Sequence, residues 1–450
     1  MAIELKPTPL TATRSGPLSG HIRLPGDKSI SHRAIMIGAL AVGETVIEGL
    51  LESDDVLATI DAMRSLGARI SRQESGVRRV TGVGVGGCLE PEQIIDFRNS
   101  GTGVRLAMAI AGSHSFSSTF AGDDSLSRRP MGRVIEPLRR MGAQILSRSE
   151  DRLPLTIKGP DRLVSIEYQL PMASAQVKSA ILLAGLNAPG GVTVIEPWAT
   201  RDHTERMLSA FGASIEIEEG PDGARTIRLE GQPKLKPQQI VVPGDPSSAA
   251  FPIVAAIMSE GSSITVEGVL LNPTRIGLFD TLREMGASLV IEDERTVGGE
   301  AVGNVRAEFS RLRGVTVPAS RAPLMIDEYP ILAVAASMAE GDTVMEGIGE
   351  LRVKESDRIA TTVAGLRANG VDAEEGENSM VVHGRSAVQG GGTVETRFDH
   401  RIAMSFLVLG TVTEQPVTVD DGSSISTSFP EFRELMTSIG AKLENPTPAP

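Results

Sequence analysis

The stretch Leu208-Ser-Ala-Phe211-Gly212-Ala213-Ser-Ile-Glu-Ile-Glu218 carries the signal from which the architecture is read. Leu208 and Phe211 are three apart, the spacing of the inner face of a helix's last turn. Gly212 follows and supplies a left-handed stop. The next residues alternate apolar and polar, the period of a half-buried strand. The same hexapeptide pattern, apolar-x-x-(mostly apolar)-Gly-(Ala/Val), occurs five more times, at Met63–Ala68, Leu138–Ala143, Leu282–Ala287, Leu366–Val371 and Met436–Ala441. Its glycines, from Gly67 to Gly440, are 75, 70, 74, 84 and 70 residues apart. Most copies also hold a Gly-bounded β segment, such as Gly43-Glu-Thr-Val-Ile-Glu-Gly49 or Gly341-Asp-Thr-Val-Met-Glu-Gly347. Six copies at near-even spacing form an internal repeat whose unit is a folding module, too large for a thin solenoid turn. The expected class is α/β (α+β), with the six mixed units in two clusters of three.

The length of 450 residues suits two or three domains. A hydrophobic fraction of 40% and a charged fraction of 22% exclude global disorder. No apolar run approaches the roughly 20 residues of a membrane span. The richest stretches, Ala249–Met258 and Tyr329–Ala339, read as buried helices. The start, Met1 to Pro7, has neither a signal core nor transit character. The single cysteine, Cys88, excludes a disulfide framework and a multi-thiolate metal site, and the six histidines form no H-x-x-x-H pair. A cytoplasmic setting without metal, cofactor or membrane is expected. The net charge of −13 and an aromatic content of 3% argue against nucleic acid. A small anion is compatible with that charge, because a few Arg and Lys in a closed cleft create their own local field. The polar stretch Gly231–Gln239 reads as a linker, and Asn445–Pro450 as a frayed tail.

Chemistry-bearing clusters sit at expected helix starts. Leu24-Pro-Gly26-Asp27-Lys28-Ser29-Ile30-Ser31-His32-Arg33 places a cation and two hydroxyls, candidate caps, where a helix dipole attracts anions. It lacks the glycine spacing of a Walker A loop. Asn99-Ser100-Gly101-Thr102-Gly103 lets a backbone approach a ligand closely. Arg128-Arg129-Pro130-Met131 sets Arg129 at a helix entrance if Pro130 takes the first helical position. Ser174-Ala175-Gln176-Val177-Lys178-Ser179 offers neutral polar groups, and Arg201-Asp202-His203-Thr204 precedes another helix. Further on, Asp327-Glu328-Tyr329-Pro330 puts carboxylates before a buried helix. Lys354-Glu355-Ser356-Asp357-Arg358 places Lys354 and Arg358 on one helical face, and Asp399-His400-Arg401 ends in a cation. Each cluster alone is an ordinary helix start. Together they suit a ligand with several anionic groups, with Asp327 and Glu355 available for proton transfer.

In this order, these motifs resemble the 5-enolpyruvylshikimate-3-phosphate synthase family of enolpyruvyl transferases, over essentially the whole chain. The resemblance implies two globular domains of three βαβαββ units each, with an interdomain cleft. The domains would be 1–27 with 242–450, and 28–241. It implies attack of the 5-hydroxyl of shikimate 3-phosphate on C2 of phosphoenolpyruvate, protonation at C3, and loss of phosphate. By motif match, Lys28, Ser29, Arg33, Ser174, Ala175, Gln176, Arg201, Asp327 and Lys354 would hold shikimate 3-phosphate. Lys28, Asn99, Gly101, Arg129, Gln176, Arg358 and Arg401 would hold phosphoenolpyruvate. Asp327 would be the base for the 5-hydroxyl, while Glu355 and Lys28 would move protons at C3 and the leaving phosphate. No cofactor or metal, no nucleic-acid or membrane partner, and a monomer are implied. Many members carry a Lys shortly before the Phe-Pro that is here Phe429-Pro430, where this chain has Thr427. In the family the Gly101 position borders the site where glyphosate competes with phosphoenolpyruvate, so inhibition by glyphosate is expected.

Two rival readings remain at this stage. A sister transferase acting on a UDP-aminosugar usually carries a catalytic-loop Cys and Lys-Asn in place of Lys28-Ser29. A non-catalytic phosphosugar-binding protein on the same repeats would not need the paired carboxylates.

Overall fold

The computed structural model describes residues 7–220 and 223–445, so the expectations for Met1–Lys6 and for the tail beyond Asn445 fall outside the described residues. Among the described residues the α-helices are, in order, α1 (Lys28–Ala39), α2 (Asp54–Ser65), α3 (Gly101–Ala111), α4 (Asp124–Arg128), α5 (Gly132–Arg140), α6 (Ala175–Gly185) and α7 (His203–Ala210). They continue as α8 (Pro246–Met258), α9 (Gly277–Glu284), α10 (Ala322–Met325), α11 (Tyr329–Ser337), α12 (Arg358–Ala368), α13 (His400–Gly410) and α14 (Phe432–Ser438).

All six copies of the hexapeptide end a helix, namely α2, α5, α7, α9, α12 and α14. Gly212 has φ +92°, and its five counterparts lie between +83° and +106°. The amide after each glycine donates back to the carbonyl five residues earlier, as from Ala213 to Leu208 at 2.9 Å. This is the Schellman closure, and the apolar first and sixth residues of the motif are the ones it brings together. The chain then turns into a strand each time.

The described strands form six four-stranded sheets, three of which take one strand from a distant part of the chain. Three sheets, in spatial order, are Gln239–Val241, Val42–Glu48, Arg78–Val83, Arg69–Arg72; then Ile95–Asp96, Ser117–Ala121, Arg152–Lys158, Gln144–Arg148; then Glu167–Gln169, Val192–Glu196, Arg225–Leu229, Ile215–Glu219. The other three are Ser19–Arg23, Ser263–Leu270, Glu300–Glu308, Ser288–Val297; then Thr316–Val317, Asp342–Glu346, Ser379–His383, Asp372–Glu375; then Thr393–Val394, Val417–Val419, Leu10–Thr13, Lys442–Glu444. In each, the first pair is parallel and the second antiparallel. Parallel strands need a crossover, and α3, α6, α11 and α13 provide it in four of the sheets.

The chain divides into two compact units. A mid-chain unit holds Gly26–Val242 with Val297–Gly299, and a terminal unit holds the described residues of Met1–Pro25, Pro243–Thr296 and Glu300–Pro450. The passages at Pro25–Asp27 and Pro243–Asp245 are both spelled Pro-Gly-Asp. Asp27 caps α1 by accepting from the Ile30 amide at 2.8 Å, and Asp245 caps α8 through the Ser247 amide at 2.8 Å. At Gly26 a Cβ would lie 2.1 Å from the Gly49 carbonyl oxygen, so no side chain fits. The expectation that Ser29 or Ser31 caps α1 gives way to Asp27, which stands one residue before the helix and reaches its open amides. The expected linker Gly231–Gln239 is part of the mid-chain unit. Leu235 is buried, the amides of Gln232 and Lys236 donate to Leu186 and Phe211, and the segment runs into the strand Gln239–Val241.

In the terminal unit α8, α11 and α13 are buried along their whole length and pack on one another. In the mid-chain unit α3 packs against α1 and α6, all three mostly buried. Helices apolar on every side belong inside a core. His32, on α1, is wholly buried and shares a 2.7 Å hydrogen bond with Thr59 on α2. Burial, then Lys28 and Arg33, push its imidazole down to about 3 against a raising effect of Asp27.

Two stability measurements follow. Gly212→Ala meets no neighbour within 4 Å, so only the left-handed backbone resists it. We expect a loss of about 1 kcal/mol, seen as a lower thermal midpoint, and Gly212→Asn should lose less. His32 stays neutral in the folded state while the unfolded chain takes up a proton below about pH 6.5. Its contribution is therefore present above pH 6.5 and shrinks as pH falls toward 3, by about 1.4 kcal/mol per unit in that window. The thermal midpoint of His32→Gln should drop less between pH 7 and pH 5 than that of the parent chain, and equal drops would exclude this linkage.

Candidate active site

Within the mid-chain unit the starts of α1, α3 and α6 carry the expected residues. Lys28 is the first residue of α1, and its Nζ lies 2.9 Å from the Asp55 carboxylate at the start of α2. Ser29 follows it, and its carbonyl accepts from Arg33 Nη1 at 2.9 Å. Arg33 is buried: Nε donates to Thr204 Oγ1 at 2.7 Å and Nη2 to Ser179 Oγ at 2.8 Å. Gly101 opens α3, which Ser100 caps through the Gly103 amide. Arg129 is buried beside that start, with Nη2 2.6 Å from Asn99 Oδ1 and 3.2 Å from Ser125 Oγ. Asn99 in turn donates to Asp123 at 2.8 Å. Ser174 caps α6, Ala175 is its first residue, and Gln176 Nε2 donates to Thr102 Oγ1 at 2.9 Å, tying the α6 start to the α3 start. Arg201 is half-buried, just before α7.

Pro130 does not open a helix. The chain ends α4 at Arg128, and α5 begins only at Gly132 with Met131 as its cap. Arg129 therefore sits at the C-terminal cap of α4. A cation suits a helix C-terminus, and Asn99 and Ser125 hold its guanidinium.

In the terminal unit the expected carboxylates Asp327 and Glu355 meet at Arg358, the first residue of α12 and 1% exposed. Its Nη1 is 3.2 Å from Asp327, its Nη2 2.6 Å from Glu355, and its Nε 2.8 Å from Asp399. Burial works against this charge. The three carboxylates, Asp399 first, outweigh it and hold the guanidinium above its ordinary value. Arg401, near the start of α13, is buried with Nη1 3.3 Å from Glu328. Glu328 also accepts from the Ser247 hydroxyl on α8, and Arg275 donates to Ser247 at 3.1 Å and to Asp245 at 3.0 Å. The starts of α8, α11 and α13 are thus joined by buried polar contacts.

Lys354 is half-buried and shares no helical face with Arg358. It follows the 3₁₀ turn Gly349–Val353 with extended backbone, and α12 begins four residues later with Asp357 as its cap. The hydroxyl of Thr427, the departure from the resembled pattern, is 3.3 Å from His400 Nδ1 and donates to the Ser424 carbonyl.

Sequence reasoning missed several partners. Asp55 stood in no quoted cluster. Asp399 counted only as a flank of a cation. Glu328 stood in a quoted cluster but was given no partner, and Ser247 and Arg275 carried no motif. Lys178 proves fully buried between Glu196 and Glu205, at 2.9 and 2.7 Å. None of these pairings leaves a local spacing signal, since each partner comes from a distant element.

Residues 12–436 match the model of the family described as EPSP synthase (3-phosphoshikimate 1-carboxyvinyltransferase). A 3-phosphoshikimate 1-carboxyvinyltransferase of Parvibaculum lavamentivorans is 61% identical over 433 residues, 96% of each chain. One from Chelativorans sp. is 58% identical over 445 residues, 98% of this chain and 99% of that one. Among solved structures, an EPSP synthase of Acinetobacter baumannii superposes with a TM-score of 0.85 at 43% identity, covering 97% of this chain and 99% of that one. The enolpyruvyl transferase NikO of Streptomyces tendae shares the fold at 19% identity with a TM-score of 0.75. A buried guanidinium gripped by three carboxylates, hydroxyl-capped inner helices and a match along nearly the whole length agree with one another, and the chain belongs to the EPSP synthase (3-phosphoshikimate 1-carboxyvinyltransferase) family.

Proposed function

We infer that the protein transfers the enolpyruvyl group of phosphoenolpyruvate to the 5-hydroxyl of shikimate 3-phosphate and releases phosphate. The observation that carries the residue assignment is the fastening of Asp327 and Glu355 to adjacent nitrogens of the same buried Arg358. Two carboxylates on one guanidinium keep fixed separations, which proton transfer requires.

In this reading Asp327 takes the proton of the 5-hydroxyl as its oxygen bonds to C2 of phosphoenolpyruvate. Glu355 delivers a proton to C3, and the tetrahedral adduct forms. A proton then returns from C3 to the Glu355 carboxylate, the double bond returns, and the C2–phosphate oxygen bond breaks with the electron pair going to phosphate. Lys28 balances the charge of that leaving group. Arg33, Ser29, Ser174, Ala175, Gln176, Arg201 and Lys354 hold shikimate 3-phosphate. Asn99, Gly101, Arg129, Arg358 and Arg401 hold phosphoenolpyruvate, with Lys28 and Gln176 serving both substrates. Arginines recognise carboxylate and phosphate with two parallel hydrogen bonds, and their density offsets the repulsion between two anionic substrates. We also assign the enzyme to the cytoplasm, supported by its single cysteine, and read it as a monomer. No helix among the described residues is long and apolar enough to cross a membrane.

Phosphate release from phosphoenolpyruvate tests the reading directly. Release should require shikimate 3-phosphate, and UDP-N-acetylglucosamine should not replace it. Release with the UDP-sugar alone would assign the chain to the sister reaction, and release with neither would favour a binding protein. Asp327→Asn and Glu355→Gln keep an acceptor oxygen for Arg358, so their losses report on proton transfer. In single turnover each should slow formation of the adduct by roughly 10²–10⁴-fold. Mild and equal losses would remove the assigned roles.

Gly101 supports sensitivity to glyphosate. A Cβ there would lie 2.9 Å from Arg105 Nη1 and 3.0 Å from Arg129 Nη1, crowding the proposed phosphoenolpyruvate contacts. The glyphosate inhibition constant should be comparable to the phosphoenolpyruvate KM. Gly101→Ala should raise the inhibition constant by about tenfold or more, and the KM less. An inhibition constant far above the KM in the parent enzyme would contradict this.

A further inference from the structure

Lys178 lies wholly inside the mid-chain unit, on the second turn of α6. Its Nζ is 3.1 and 2.9 Å from the two oxygens of Glu196, at the end of the strand Val192–Glu196, and 2.7 Å from Glu205 on α7. Glu196 also accepts from the Thr200 hydroxyl at 2.9 Å. A buried ion cluster of this kind rarely adds net stability over an apolar replacement, because desolvation consumes the Coulomb gain. Its presence calls for a role in fixing geometry.

The geometry it fixes is the segment between the strand and α7. Thr200 is anchored to Glu196 on one side of Arg201. On the other side Thr204 donates to Ser179 Oγ at 2.7 Å, and Ser179 is the neighbour of Lys178 on α6. Arg201 therefore rides on a few residues pinned at both ends. The same Thr204 and Ser179 oxygens accept from Arg33, at 2.7 and 2.8 Å.

We propose that Lys178 is a positioning residue for the shikimate 3-phosphate subsite. By clamping Glu196 and Glu205 it holds α6, the segment Trp198–Asp202 and the start of α7 in one arrangement. That arrangement gives Arg201 and Arg33 a single pose toward the ligand. The proposal rests on the assignment of those two arginines under the proposed function.

Trp198, the only tryptophan in the chain and 56% exposed, sits in the clamped segment and reports on it without any ligand. The test compares the full-length parent enzyme with Lys178→Met and with Thr200→Val. Steady-state kinetics and the fluorescence anisotropy decay of Trp198 are measured on each. Lys178→Met should raise the KM for shikimate 3-phosphate by about tenfold, with kcat and the KM for phosphoenolpyruvate within about twofold. The fast local component of the Trp198 decay should grow. Thr200→Val should move both readouts the same way by less, at an unchanged thermal midpoint. It carries the test alone if Lys178→Met does not fold. A folded variant with a lowered thermal midpoint but unaltered KM for shikimate 3-phosphate and unaltered anisotropy would overturn the proposal. So would an equal loss in the constants of both substrates. A parent enzyme idle with shikimate 3-phosphate would sink the functional reading instead, and the anisotropy comparison would still decide whether Lys178 fixes the segment.

Discussion

A helix that is apolar on every side has only its ends at which to carry chemistry. This constraint shapes both units. Helices α8, α11 and α13 are buried along their whole length, and α1, α3 and α6 nearly so. Their first turns still expose amides that have no partner inside the helix. Those amides draw in polar side chains as caps: Asp27, Ser100 and Ser174 in one unit, Asp245 and Asp399 in the other. The polar ends of the inner helices thus become the places where each unit collects polar and charged side chains. The hexapeptide stop makes this repeatable, because it ends each outer helix at a fixed point and returns the chain as a strand.

Burying charge at such places is tolerable only with compensation. Arg358 has three carboxylates, Lys178 has two, and Lys28 has Asp55. Around Arg358 and Lys178 the carboxylates outnumber the cation. Burial pushes the Glu196 carboxyl above its ordinary value although Lys178 pulls it down, so this pair is held by geometry against its own solvation preference. Such arrangements fix side-chain positions at some cost in stability, the exchange expected of a site that must present several donors at once.

The repeat was readable because its signal is local. Six residues suffice to encode a helix stop, and the period of the following strand confirms the turn. The helix starts before α6, α7, α11 and α13 were readable for the same reason. What failed were inferences that assumed a helix continues through its first polar residues. Lys354 and Arg358 have the spacing of one helical face, yet the 3₁₀ turn and the Asp357 cap lie between them. Pro130 suits a first helical position, yet it links α4 to α5. Long-range partners were invisible in principle. Nothing near Arg358 announces Asp399, and nothing near Lys178 announces Glu205, because complementarity of charge across a fold leaves no periodicity in the chain.

The two Pro-Gly-Asp passages show how copies of one motif diverge. After Asp27 the chain continues Lys28-Ser29, and the cation faces the Asp55 carboxylate at a helix start that remains partly accessible. After Asp245 it continues Pro246-Ser247, where the ring occupies the first helical position and the hydroxyl is spent on Glu328. The same contrast holds for the other inner helices. The mid-chain unit presents Lys28, Asn99, Gln176 and arginines, groups that donate to anions. The terminal unit presents Asp327, Glu355 and Asp399 around one guanidinium, groups that can exchange or stabilise protons. Copies of one repeated architecture thus carry different charge patterns at their helix starts, with three carboxylates gathered on one guanidinium in the terminal unit.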